Sequence, residues 1–210
     1  MDSLRGRTAL VTGATGGIGK VIVRRLADRG VNVVVTGRRA DVLAESVHDA
    51  RAAGVDAAAV AADLADPTQV EPLLERAEAA LGPIDILVNN AGIEHISPFV
   101  ELTADDLATM VHVNLTAPMV LTRAVLGGML ARGRGHVVFV SSMAGKVGLA
   151  YGEPYAATKG GLILLTQSLR AEFAGEPVGF SAVCPGFVTG DGMFERIRST
   201  GVDTNRLLGS

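Results

Sequence analysis

Short runs rich in Val, Ala and Leu alternate along this chain with stretches of helical pattern, and that alternation dictates the architecture. The apolar runs cover residues 8–12, 31–36, 55–61, 84–88, 136–140 and 178–184. Between them, residues 18–29, 40–53, 67–82, 103–131 and 154–173 read as helices. The first two close at Gly30 and Gly54, and the third opens with a start signal: Asp66 as cap, Pro67 at the first helical position and Gln69 behind it. Thr103 with Asp106 forms another capping pair, and Asn114 marks a break inside the helical stretch that follows. Runs that are apolar throughout belong to strands covered on both faces, and helical crossovers make successive strands parallel. The expected fold class is α/β: a doubly wound, mostly parallel sheet of six strands. The 26 glycines, 4% aromatic content and absence of Trp suit small helices packed closely on such a sheet.

Length and charge narrow the function classes. A chain of 210 residues is expected to form a single domain over 1–210, in which the polar, irregular 187–210 reads as a flap or an incomplete end. Apolar content of 48% with a net charge of −3 excludes disorder, and no basic stripe suggests a nucleic-acid partner. Apolar runs such as those at 31–35 and 162–165 fall far short of the roughly 20 residues of a membrane span, so no membrane partner is expected. Residues 1–12 lack the order of a signal peptide. Cys184 has no second thiol to pair with, and His48, His95, His112 and His136 stand singly, without metal-ligand spacing. A cytoplasmic protein without a metal is the expectation.

The first strand runs directly into Thr12-Gly13-Ala14-Thr15-Gly16-Gly17-Ile18-Gly19 and then a helix. Gly13 lets the chain leave the strand tightly, Gly17 lets the backbone approach a pyrophosphate, and Gly19 lets helix and sheet pack closely. The helix N-terminus adds free N–H groups and partial positive charge. In the first βα unit of an alternating chain this loop reads as a dinucleotide site, the plainer alternative being a glycine-rich turn.

The spacing Gly-x-x-x-Gly-x-Gly resembles that of the short-chain dehydrogenase/reductase family. Four further features stand in family order: Asn89-Asn90-Ala91-Gly92, Ser141-Ser142, Tyr155-Ala156-Ala157-Thr158-Lys159 and Pro185-Gly186. Ser142 precedes Tyr155 by 13 residues, and Asn114 sits in Val113-Asn114-Leu115, both as in the family. The resemblance covers about residues 7–190. It implies an NAD(P)-dependent enzyme acting on a CH–OH/C=O pair, with Asn114, Ser142, Tyr155 and Lys159 as its catalytic set.

Tyr155 and Lys159 are four residues apart, so they project from one helix face. The resemblance makes Tyr155 the general acid/base, Ser142 the partner of the substrate oxygen, Lys159 the holder of the nicotinamide ribose, and Asn114 the anchor of a water joining Lys159 to solvent. A free phenol titrates near pH 10, and two close positive charges, Lys159 and an oxidised nicotinamide, would bring it to about 7. Asn114 as a simple helix breaker stays open. Cofactor contacts are expected at Gly13, Thr15, Gly17, Ile18, Gly19, Asn90, Ala91, Gly92, Pro185, Gly186 and Val188, besides Tyr155 and Lys159. Asp63 would meet the adenine, its rival role being to cap the turn at Leu64-Ala65. The threonine that usually follows is displaced: Thr189 stands one residue early, with Gly190 in its place.

The second strand ends Thr36-Gly37-Arg38-Arg39, with no carboxylate before Asp41. An acid there would grip a ribose 2′-hydroxyl, whereas a guanidinium such as Arg38 forks onto a 2′-phosphate. NADP(H) is therefore expected over NAD(H), although the glycine loop carries no further basic residue. The alternatives are an NAD-dependent alcohol or steroid-type dehydrogenase and a non-catalytic dinucleotide-binding regulator. The substrate is expected to be a small carbonyl compound or alcohol, met by Glu94, His95, Ile96, Met143, Val147, Leu149, Phe187, Met193 and Phe194. The family's seventh strand has no apolar counterpart after residue 184, which is expected to leave the sixth strand as an edge and the chain shortened. A homodimer through the helices at 105–131 and 155–173 is expected, since Leu162, Ile163, Leu164 and Leu165 make the latter apolar on more than one face.

Overall fold

A computed structural model describes residues 4–186 and Val188. Six parallel strands form one sheet: β1 (Thr8–Thr12), β2 (Asn32–Gly37), β3 (Ala57–Ala61), β4 (Ile86–Asn89), β5 (Gly135–Val140) and β6 (Val178–Val183), in the order β3-β2-β1-β4-β5-β6. The helices are α1 (Gly17–Ala27), α2 (Ala40–Ala52), α3 (Pro67–Leu81), α4 (Ala104–Val111), α5 (Ala117–Ala131), α6 (Ala144–Val147) and α7 (Glu153–Glu172).

Strand β1 is buried along its whole length because its two faces feed two cores. Ala9 and Val11 join Val33, Val35, Val23 and Leu43 under α1 and α2. Leu10 points the other way, into a core with Val34, Leu73, Leu87, Leu121, Phe139 and Leu162 under α3, α5 and α7. This explains the uninterrupted apolar strands of the sequence. The sheet grows outward from β1 in one direction and from β4 in the other, so the order in which strands are added reverses between them. A crevice at the carboxyl ends of the strands opens at that switch point, where ligands of such sheets bind.

Three strands begin later than the apolar runs suggest. Val31 is fully buried, yet its N–H donates to the Leu26 carbonyl, so it belongs to the turn that closes α1. Ile84 and Asp85 likewise precede β4: Asp85 is buried, accepting from Thr8 N–H and, at 2.9 Å, from Arg134 Nε. The capping signals are realised, with Asp66 accepting from Thr68 N–H and Thr103 and Asp106 forming a reciprocal box. The break expected at Asn114 is a π turn, His112–Thr116, joining α4 to α5. Helix α6 lies in what reads from sequence as loop.

Measured as one helix, Ala104–Ala131 is long and apolar enough to cross a membrane by length and composition, which the short apolar runs do not reveal. Ala117, Leu121, Val125 and Met129 of this helix are buried in the core against the sheet. Among the described residues, β6 is a sheet edge, paired with β5 alone. Phe187, Thr189, Gly190, Met193 and Phe194, and the flap or incomplete end to which they belong, lie outside the described residues.

Candidate active site

Nearly all the residues singled out from the sequence fall along the carboxyl ends of the six strands. Asp63 follows β3, Arg38 follows β2, the glycine loop follows β1, Asn90-Ala91-Gly92 follow β4, Ser142 follows β5, and Pro185, Gly186 and Val188 follow β6.

The glycine loop is locked by its neighbours. Gly13 has φ +63°, and a Cβ there would lie 2.8 Å from Ala91 Cα. A Cβ on Gly19 would lie 2.2 Å from the Gly13 carbonyl oxygen and 2.9 Å from Ala14 Cα. Asn90 Nδ2 donates to the Thr12 and Gly13 carbonyls at 2.9 and 3.1 Å, while Thr12 Oγ1 accepts from the N–H groups of Asn90 and Ala91, both at 3.0 Å. Asn90 thus braces the loop as well as lining the crevice. Thr12 has no such signal in the sequence, because its partners lie 78 and 79 residues away.

Helix α1 begins at this loop with no side-chain cap on Gly16 and no acid in its first turn. Among the described residues, nothing accepts from the N–H groups of Gly17, Ile18 or Gly19. Uncapped donors at a helix N-terminus fit the diphosphate of a dinucleotide. Thr15 packs beside Gly37, and its carbonyl accepts from Arg39 Nη2 at 3.0 Å. Arg39 therefore holds the loop. Arg38 is exposed and unpaired among the described residues. One Asp63 oxygen caps the turn through Ala65 N–H at 3.0 Å, the rival role expected for it.

Deeper in the crevice, four residues converge. Tyr155 and Lys159 lie on the first turns of α7, both buried, with the ammonium 5.5 Å from the phenol ring centre. The Ser142 hydroxyl lies beside the phenol, where it favours the ionised form, and accepts from Ala144 N–H at 3.1 Å, at the start of α6. Lys159 Nζ donates to the Val140 carbonyl at 2.8 Å, and the adjacent Ser141 hydroxyl donates to the Lys159 carbonyl at 2.7 Å. These two bonds tie α7 to the end of β5. A Cβ on Gly92 would lie 3.2 Å from Lys159 Nζ and 3.4 Å from Asn114 Oδ1, so Gly92 is the space in which these side chains meet.

Asn114 is fully buried on the π turn. Its amide clamps both backbone groups of Ile93 at 2.8 Å, and Nδ2 also donates to Thr158 Oγ1 at 3.2 Å. Both Nδ2 protons are thereby committed. Thr158, whose hydroxyl donates to the Tyr155 carbonyl at 2.8 Å, was not signalled by the sequence beyond its place inside the Tyr-x-x-x-Lys stretch.

Burial dominates the electrostatics of this cluster. Burial pushes the Tyr155 phenol up to about 12, with the Ser142 hydrogen bond pulling the other way and the Glu94 charge adding to the rise. Burial brings Lys159 down to about 8, against a smaller raising effect of Glu94. Between about pH 8 and 10 the unfolded chain keeps this proton while the folded chain releases it, so this group makes stability rise with pH across that window. We expect Tm to gain between pH 8 and pH 10 and Lys159→Met to lose that gain; equal slopes in the two chains would refute it.

The model of the short chain dehydrogenase family matches residues 7–200. The chain belongs to that family. This short-chain dehydrogenase is 40% identical over 193 residues to the ketoacyl reductase HetN of a Nostoc species, covering 92% of this chain and 67% of the relative. It is 32% identical over 185 residues to the 2-dehydro-3-deoxy-D-gluconate 5-dehydrogenase of Formosa agariphila, covering 88% and 70%. A crystal structure from Sinorhizobium meliloti 1021, named as a candidate short-chain alcohol dehydrogenase, superposes with a TM-score of 0.86 at 33% identity, covering 93% of this chain and 79% of that one. The enzyme is an oxidoreductase of the CH–OH/C=O class, and its family uses NAD(P)(H).

Proposed function

We propose that this short-chain dehydrogenase reduces a ketone to a secondary alcohol with NADPH, using Tyr155 as the proton donor. The observation that carries the reading is the cluster at the crevice in which half-buried Ser142 meets buried Tyr155 and Lys159. A bound nicotinamide dinucleotide supplies the hydride. The N–H groups opening α1 would hold its diphosphate, Asn90, Ala91 and Gly92 would line its path, and Lys159 would use its remaining donors on the ribose. A phenol at about 12 is protonated at neutral pH, the form that can give a proton to a carbonyl oxygen becoming an alcohol. Ser142, beside the phenol, would donate to the same oxygen. Asn114 positions the wall through Ile93, and any water it anchors must be reached by groups other than its Nδ2.

The preference for NADP(H) rests on Arg38, exposed and unpaired after β2, where a 2′-phosphate would lie. Arg38→Ala is expected to weaken NADPH binding about tenfold, the loss of one charged contact, with NADH unaffected. Parallel fluorescence titrations read this directly, and equal affinities for both cofactors in both chains would favour the NAD-dependent alternative. Carbonyl-dependent loss of nicotinamide absorbance tests the reaction itself. A chain that binds NADPH but oxidises it with no ketone would be the non-catalytic regulator. The same reading makes the protein a cytoplasmic homodimer formed through α4–α5 and α7. It is supported by the single cysteine and by the exposed apolar residues Val111, Met119 and Leu164 on those helices.

A further inference from the structure

Thr158 lies between Tyr155 and Lys159 in α7 and is almost wholly buried. Its hydroxyl donates to the Tyr155 carbonyl at 2.8 Å and accepts from Asn114 Nδ2 at 3.2 Å. A hydroxyl that bonds back to a carbonyl one turn earlier is ordinary inside a helix. Helix α7 holds a second: Thr166, just as buried, donates to the Leu162 carbonyl at 2.7 Å. Among the described residues the Thr166 hydroxyl bonds nothing else, whereas the second bond of Thr158 leaves the helix for the π turn.

The partner at that turn is fully buried and fully engaged. Asn114 Oδ1 accepts from Ile93 N–H, and Nδ2 gives one proton to the Ile93 carbonyl and the other to Thr158. Removing the Thr158 oxygen leaves one of these protons buried without an acceptor, a cost that turning the amide relieves at the expense of its hold on Ile93. Ile93 follows Gly92, and a Cβ on Gly92 would lie 3.2 Å from Lys159 Nζ and 3.4 Å from Asn114 Oδ1. A shift of Ile93 therefore carries with it the wall beside the Lys159 ammonium. The next residue of α7 is anchored in another direction: Lys159 bonds the Val140 carbonyl through Nζ and the Ser141 hydroxyl through its own carbonyl, at the end of β5. Residues 158 and 159 thus fix one turn of α7 between the π turn and the sheet.

We propose that Thr158 is a positioning residue: through Asn114, its hydroxyl ties the opening turns of α7 to the π turn and the 92–93 backbone, and so holds Tyr155 and Lys159 in register for proton transfer. The inference rests on the reading of Tyr155 as the proton donor. Among the described residues no bond joins this hydroxyl to the phenol or the ammonium, so it acts through the backbone and Asn114. Its effect falls on kcat rather than on cofactor binding, because Asn90 braces the glycine loop separately.

Three variants test it. Thr158→Val keeps the shape and removes the hydroxyl, Thr158→Ser keeps the hydroxyl, and Thr166→Val removes the other buried hydroxyl of the helix. Ketone reduction, NADPH affinity and Tm are measured for each. We expect Thr158→Val to lower kcat about tenfold, within the roughly hundredfold that misplacing reacting groups can cost, with NADPH affinity unchanged. Thr158→Ser should recover most of that loss, and Thr166→Val should keep the wild-type kcat whatever its Tm. The side-chain amide protons of Asn114, assigned by their absence in Asn114→Ser, give a readout besides activity: slow hydrogen exchange in the wild type and Thr158→Ser, fast in Thr158→Val. Wild-type kcat in Thr158→Val, equal losses in Thr158→Val and Thr158→Ser, an equal loss in Thr166→Val, or fast amide exchange in the wild type would each overturn the proposal. Tyr155→Phe separates the two readings: full turnover in that variant would refute the proton donor, while the Asn114 amide protons still judge the tie to Thr158.

Discussion

Tyr155→Phe is expected to lower kcat by about 10²–10⁴-fold, the range that a positioned proton donor contributes. The variant removes one oxygen from a buried side chain. Packing of the ring is kept, Lys159 keeps its bond to the Val140 carbonyl, and Ser142 keeps its bond from Ala144 N–H. Cofactor affinity should therefore change little, since the glycine loop and its brace from Asn90 lie elsewhere in the crevice. Stopped-flow reduction of a ketone, paired with an NADPH titration of the same variant, checks both halves. Turnover at the wild-type rate would refute Tyr155 as the donor. A joint loss of turnover and binding would mean instead that the phenol holds the site together.

The second large effect is expected at Gly19. Its Cα faces the Gly13 carbonyl so closely that a Cβ would sit 2.2 Å from the oxygen, and the nearest alternatives are Ala14 Cα at 2.9 Å and Asn90 Nδ2 at 3.0 Å. Two of these three neighbours are backbone, so no side-chain rotation relieves the contact. Gly19→Ala must push the loop away from α1, which breaks the pair of bonds from Asn90 to Thr12 and Gly13. Overpacking of this kind costs about 1–3 kcal/mol, about 2–12 °C in Tm for a chain of this size. The displaced loop also carries the N–H groups that would receive the diphosphate, so dinucleotide affinity should fall about a hundredfold. Gly16→Ala is the control, because a Cβ there meets only the Gly13 oxygen, at 3.6 Å. Equal binding by Gly19→Ala and wild type would show that the loop does not form the cofactor site.

Much of this site was legible because it is built from local rules. Gly13 and Gly19 announce a turn no larger residue can make, and Tyr155 and Lys159 share a helix face by spacing alone. Other parts were illegible because they join residues far apart in the chain. Thr12 reaches Asn90 and Ala91, Arg39 braces Thr15, and Ser141 reaches Lys159 across 18 residues. Asn114 was recognised, but its grip on Ile93 needs the π turn, whose extra residue per turn no periodicity announced.

Strand and helix alternation, the buried character of β1, the helix caps and the glycine loop follow from the sequence by itself, since each depends on residues within a few positions of one another. The state of the site's charges was decided only by tertiary structure. Spacing placed Lys159 beside Tyr155, and the expectation was a phenol drawn down by Lys159 together with an oxidised nicotinamide. Folding buried the phenol, and desolvation, which depends on everything packed around a group, raises it.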